Sequence, residues 1–405
     1  MSCILAYMHT RTCISCIILT LPFCTGDNYN MADNTSIQNL QEVIQICPYS
    51  KTTTPIFDHM SNFFKFSRKT WNLFEIYGLS AFGTLRTVRI DYAFLHCAAQ
   101  YWSPGDHVSR FHTSEICPLP EEFAAILGKN YHSTASMAIP SLDLSFPSFM
   151  VQLFDLPPST LLQCSIGNKM ILQELLKHGK TKVSGSPSWR RILSFCLYAQ
   201  FLLISPDKMG DIQIAHIMEQ VEEGANPFSV ILAETLIGLD SAKEGGKFQE
   251  SPLLLQIWLK EKLSLIMPPA NPLRFKPRQW KSRSLQHPEP VMTGPKWHEF
   301  LSTRSDDKIQ WHCSWWQLSH VTREFFGHCV PLAGLYFTSF YTPSRLYRQY
   351  GLEQHIICVL SNFKLSHLRP HFFWRRFSMT GLAGKLSGIS GLIKASRQMT
   401  IIKLG

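Results

Sequence analysis

At 405 residues the chain is long enough to bury a substantial core, as one large domain or two ordinary ones. With 45% hydrophobic, 12% aromatic and 17% charged residues it is too apolar for a disordered polymer. The net charge of +10 is uneven: from Arg345 to Gly405 ten Lys and Arg face the single acid Glu353, so an electrostatic partner is expected toward the C-terminus.

Residues 1–30 hold an apolar run, Cys13–Cys24, of signal-peptide h-region length but short of the about 20 residues a membrane-spanning helix needs. Two readings stay open: an extension upstream of a start at Met31, of the kind a gene-model artefact leaves, or a weak secretory signal. The twelve cysteines are irregularly spaced and make no disulfide framework, so a reducing compartment is expected. Cys97, Cys196 and Cys358 read as small buried hydrophobes. Cys13-x-x-Cys16 has redox spacing without a βαβ context.

Residues 31–376 read as the body of the protein. Met60, Phe63, Phe64, Ser67, Trp71 and Phe74 mark a helix with an aromatic face, ended at Gly78. Leu85, Val88, Tyr92, Leu95, Ala99 and Trp102 recur at helical spacing and predict a second helix, stopped by Ser103-Pro104-Gly105-Asp106. Val108, Phe111 and Ile116 fit a short extended segment. A helix then runs from Pro120, with Glu121 and Glu122 at the positive end of its dipole, to Gly128. Phe123, Ile126 and Leu127 form its buried face.

Lys129–Pro158 is punctuated by Ser and Pro and predicts a long loop with short elements; a candidate internal boundary lies in 129–158. Trp189–Ile204 is apolar on every side and predicts a central buried helix. Asp211–Glu223, Asn226–Asp240 and Leu253–Met267 predict three more, the last closed by Pro268-Pro269. A second extended candidate covers 330–340, and residues 377–405 read as a basic Gly/Ser-rich tail. The fold class is therefore mainly α, a single large helical domain with a minor β-hairpin, and no membrane span is expected.

The run Tyr101–Gly128, YWSPGDHVSRFHTSEICPLPEEFAAILG, resembles the opening motif of a plant-specific domain of unknown function found beside retroelement sequence. That family is similar to the plant mobile domain, also called the aminotransferase-like plant mobile domain. Its motif falls here on Asp91, Trp102, Phe111, Pro118, Glu121, Glu122, Leu127 and Gly128. The family's Thr or Ser before the glutamates is replaced by Leu119-Pro120, so a side-chain helix cap is missing. The resemblance resumes through Asn226–Asp240, Leu253–Leu263 and Trp297–Trp311, and reaches YTPSRLYRQYG at Tyr341–Gly351. It implies a transposon-derived interaction domain, nuclear (cytoplasmic as the alternative), linked through protein partners or chromatin to transposon silencing or genome maintenance.

For chemistry, Arg274, Lys276, Arg278, Lys281 and Arg283 cluster with Phe275 and Trp280 interleaved and no acid among them. Cations for phosphates and aromatic faces for stacking suit a nucleic-acid strand, so Arg274, Lys276, Arg278, Trp280, Lys281 and Arg283 are the candidate contacts. The competing reading is a solvated loop held extended by Pro272 and Pro277. Arg345, Arg348, Arg369, Arg375 and Arg376 add to the basic C-terminal part, although Arg345 and Arg348 fall in a family motif and are open to a structural role.

His312, Cys313, His320, His328 and Cys329 lack the paired spacing of a zinc site and read as part of an aromatic core. No nucleophile elbow, phosphate loop, dinucleotide fingerprint or His-Glu-x-x-His site occurs. Nor is there a retroelement protease or polymerase motif. The word aminotransferase in the family's name would imply pyridoxal phosphate, but no Schiff-base lysine stands out, so no cofactor and no enzymatic activity are expected. An enzyme would need distant groups brought together, with Asp91, His96 and His112 as conceivable members.

Overall fold

The computed structural model divides the chain into Met1–Glu42 and Val43–Gly405. It describes residues 45–46, 71–85, 87–129, 137–140, 146–204, 209–248, 250–284, 292–318 and 330–353, all in the second unit. The expected extension 1–30, the tail 377–405 and the first part of the Met60–Phe74 helix lie outside the described residues.

The fold is mainly α. In chain order the described elements are β1 (Gln45–Ile46), α1 (Phe82–Leu85), α2 (Tyr92–Ala99), β2 (Trp102–Ser103), β3 (Val108–Phe111), β4 (Ser114–Ile116), α3 (Pro120–Leu127), α4 (Phe146–Phe154), α5 (Pro158–Cys164), β5 (Ser165–Ile166), β6 (Lys169–Ile171), α6 (Leu172–Gly179), α7 (Pro187–Phe201), β7 (Met209–Asp211), α8 (Ile212–Glu222), α9 (Phe228–Lys243), β8 (Lys247–Phe248), α10 (Pro252–Lys262), α11 (Gly294–Ser302), β9 (Val330–Ala333) and β10 (Thr338–Tyr341).

Instead of one hairpin there are three small antiparallel sheets: β2-β3-β4, β5-β6-β7 and β9-β10. Both extended candidates are hairpins, with Phe111 opposite Ser114 and Val330 opposite Tyr341. The third sheet sits where no alternation announced it, and β1 with β8 adds a two-residue parallel pair.

Caps set the helix boundaries. The stripe from Leu85 to Trp102 spans three elements, because the Asp91 carboxylate accepts the Phe94 N–H at 3.0 Å and starts α2 only there. Gln256 of α10, wholly buried, holds the same corner by accepting the Asp91 N–H and donating to the Arg89 carbonyl at 3.0 Å. Ser186, Asp211 and Ser251 likewise cap α7, α8 and α10. Leu119 gives α3 no side-chain cap, as expected; Glu122 instead reaches back to accept the Leu119 N–H at 3.3 Å. The stretch expected as a long loop with short elements contains α4.

Helix α7 is the buried centre of one group of elements, packing on α4, α6, α8 and β7, with Trp189, Phe195, Cys196 and Tyr198 excluded from solvent. Helix α9 packs on α2 and α3 and against β2, β8, β9 and β10. Among the described residues no helix is long and apolar enough to cross a membrane.

Candidate nucleic-acid interface

Beyond α10 the chain turns at Pro268-Pro269 and forms a strap of two short 3-10 helices, Pro272–Arg274 and Pro277–Ser282. A proline opens each, fixing φ where the missing N–H costs nothing. The Asn271 carboxamide accepts the Arg274 N–H at 3.2 Å, and the Gln279 carboxamide accepts the Lys276 N–H at 2.8 Å.

Two side chains hold this strap to the body. Trp280 is 7% exposed, on the segment that packs against α1 and α3. Arg283 makes a two-pronged ion pair with the fully buried Glu261 of α10; the Nη2–Oε2 arm is 2.9 Å. Its Nε donates to the Met267 carbonyl at 2.6 Å, and the guanidinium lies 5.3 Å from the Phe275 ring centroid and 5.2 Å from that of Trp315. Burial pushes the Glu261 carboxyl upward, against the pull of Arg283. From the next segment, Gln317 donates to the Leu273 carbonyl at 3.0 Å.

Two of the six candidate contacts are thereby corrected. Trp280 has no free face for a base, and Arg283 is engaged by a buried carboxylate and two aromatic rings. The other four, Arg274, Lys276, Arg278 and Lys281, are exposed. Among the described residues none of them pairs with a carboxylate; Lys281 donates only to the Thr87 hydroxyl, at 3.1 Å. Sequence reading found the patch but could not divide anchors from free cations, because Glu261 lies 22 residues from its partner.

A second polar cluster is buried between α3 and α10. Glu122 accepts from Lys262 Nζ and, at 2.6 Å, from Trp258 Nε1–H; Lys262 also donates to the Trp311 carbonyl at 2.8 Å. Gln349, from the Tyr341–Gly351 motif, accepts the Cys117 N–H at 2.9 Å and donates to the Cys117 carbonyl at 2.8 Å. Two stretches of the resemblance thus meet in one buried network.

In the same motif Arg345 bonds Asp106 at 2.8 Å and both oxygens of Glu115 at 2.7 and 2.9 Å, tying the β2-β3-β4 sheet to the C-terminal strand pair's exit. Burial raises both carboxyls, but Arg345 and Arg110 together hold them below the usual range. Arg348 lies over the Trp311 ring, 4.7 Å from its centroid. Neither arginine is free in the way a basic surface requires, while Arg369, Arg375 and Arg376 lie outside the described residues.

Sequence reading missed His107. It is buried in a left-handed turn (φ 52), with Nδ1 2.6 Å from the Phe340 carbonyl and Nε2 2.8 Å from Asp240, which also accepts from Trp102 Nε1–H at 2.8 Å. Its only sequence signal was its place beside the Ser103–Asp106 turn.

The conceivable catalytic members are not assembled. Asp91 caps α2, His96 sits along that helix where burial lowers its pKa, and His112 is exposed in the β3–β4 turn; no hydrogen bond joins any two of them. His312 faces the Gln349 carbonyl at 3.3 Å and Cys313 is buried, its thiol pushed well up by burial, while His320, His328 and Cys329 lie outside the described residues. Among the described residues no three His, Cys, Asp or Glu are placed to hold a metal ion. No protein-family model matches the chain, and neither a curated protein nor a solved structure matches it.

Proposed function

We propose that this chain is a non-enzymatic interaction domain whose anchored strap binds nucleic acid through its phosphates. One observation carries the reading: Arg274, Lys276, Arg278 and Lys281 stand exposed and unpaired with any carboxylate among the described residues, on a segment pinned beneath by Trp280 and Arg283. An anchored row of cations presents charge without first having to be ordered, which favours a polyanion. Reading the chain as a binder rather than a catalyst is supported by the roles of its motif residues: Asp91 caps, Glu122 and Gln349 close a buried network, and Arg345 ties a sheet.

The resemblance to the plant mobile domain supplies the setting of this proposal: a transposon-derived domain in the nucleus, joined to silencing or genome maintenance through chromatin and protein partners. The test is binding of the full chain to random-sequence DNA across a salt series, beside a variant with Arg274, Lys276, Arg278 and Lys281 changed to Ser. Binding that falls steeply with salt and is lost in the variant is expected. No binding by the parent at low salt would overturn the nucleic-acid contact and leave protein partners as the interaction to search for.

A further inference from the structure

Resting on that reading, the geometry points to a narrower ligand: the strap takes the sugar–phosphate backbone of a double helix, without base stacking. Proteins that hold single strands combine a cationic track with aromatic side chains on which successive bases stack. The interleaved aromatics of this segment suggest such a surface in the sequence, and the structure removes it.

Trp280 is 7% and Trp315 6% exposed. Phe275 is half-buried, with the Arg283 guanidinium 5.3 Å from its ring centroid. That guanidinium is itself fixed by Glu261, so it is not a plane a base can displace cheaply. Among the described residues the exposed aromatics, Tyr336 and Phe337, belong to the β9–β10 turn, and that hairpin packs on α9.

Beside Leu273, Gln279 and Ser282, the strap exposes four cations, while Trp280 is turned inward. Arg278 and Lys281 stand three residues apart in one 3-10 helix. Side chains at that spacing eclipse, separated by a rise of about 6 Å. The pair puts two cations on one side of the strap, and the same four cations offer no donor set fixed for reading base edges, which requires planar, positioned contacts in a groove.

The test uses the full chain with four probes of equal length: a random-sequence DNA duplex, an RNA duplex, a poly(dT) single strand, and poly-glutamate of matched charge. Binding is measured at several salt concentrations. At least one duplex should bind about tenfold or more tighter than poly(dT), with little dependence on sequence. The slope of log affinity against log salt should be about −3 to −4 if four cations meet phosphates. The double variant Arg278→Ser/Lys281→Ser should reduce that slope by about 2 in magnitude. Its circular dichroism and unfolding midpoint should match the parent's, since both side chains are exposed.

Poly(dT) binding as tightly as the duplexes, with quenching of tryptophan fluorescence, would overturn the duplex assignment while leaving the strap as a nucleic-acid site. Poly-glutamate binding as tightly as the duplexes would overturn it in favour of an acidic protein. No binding to any nucleic acid at low salt would remove the reading it rests on.

Discussion

Lys262 and Glu122 form an ion pair from which solvent is fully excluded, each side chain being 0% exposed. The pair joins the last residue of α10 to the first turn of α3, and Trp258, Gln349 and the Trp311 carbonyl satisfy its remaining hydrogen bonds. Removing one member of such a pair leaves a charge in the core and costs about 3–5 kcal/mol. Lys262→Met should therefore lower the urea midpoint strongly. Adding Glu122→Gln, which keeps an acceptor for Trp258 but removes the orphaned charge, should recover more than half of the loss. A double variant no more stable than Lys262→Met would show that the charge is not what destabilises it.

Within the strap, stability and binding are expected to separate residue by residue. Arg283→Ala strips the cation from a carboxylate with no exposure and should destabilise by about 3 kcal/mol or more. Arg278→Ala removes an exposed, unpaired side chain and should change stability by less than about 0.5 kcal/mol. Urea unfolding of the two variants decides it. Equal effects would mean that Arg283 is not an anchor.

Local rules made much of this fold legible and long-range pairing made the rest illegible. Apolar runs and helix-start signals placed α7, α8, α9 and the start of α10, which ends at Lys262 rather than at the expected Met267. The stripe from Leu85 to Trp102 misled because tertiary packing lets one apolar face continue across separate elements. The β5-β6-β7 sheet was invisible because its strands are two or three residues long, too short for alternation to register. At the candidate site, composition showed cations and aromatics together. Which cation is free depends on Glu261, and no spacing rule reaches that far.

Gly210 in β7 tests that hidden sheet. A Cβ built there would meet the Phe195 ring at 2.2 and 2.4 Å and Leu172 Cδ2 at 2.9 Å. The Phe195 ring is fully buried on α7 and has nowhere to move without repacking. Gly210→Ala should cost about 1–3 kcal/mol through overpacking. Gly294→Ala, at the first residue of α11 with nothing within 4 Å of the added carbon, should be neutral or slightly stabilising. Thermal unfolding of the pair checks the contrast, and an unchanged Tm for Gly210→Ala would contradict the packing of β7 on α7.

Glu121 gives the fold a pH response near neutrality. Its side chain is buried beside Glu122, and its Oε2 has no hydrogen-bond partner. Burial, with the Glu122 charge adding to it, pushes its pKa from 4.5 up to about 7. Between those values the folded state holds a proton that the unfolded chain releases. The associated stability is therefore complete below 4.5 and is lost as pH rises through about 7. Asp106 and Glu115 act in the opposite sense: Arg345 and Arg110 hold them low despite burial, so their contribution is present at neutral pH and fades only in acid. The two effects occupy separate windows. Glu121→Gln should match the parent in unfolding free energy from urea titration at about pH 4, where the carboxyl is protonated in both states, and exceed it at about pH 8 by about 1–3 kcal/mol. The same difference at both pH values would show that Glu121 does not titrate between them.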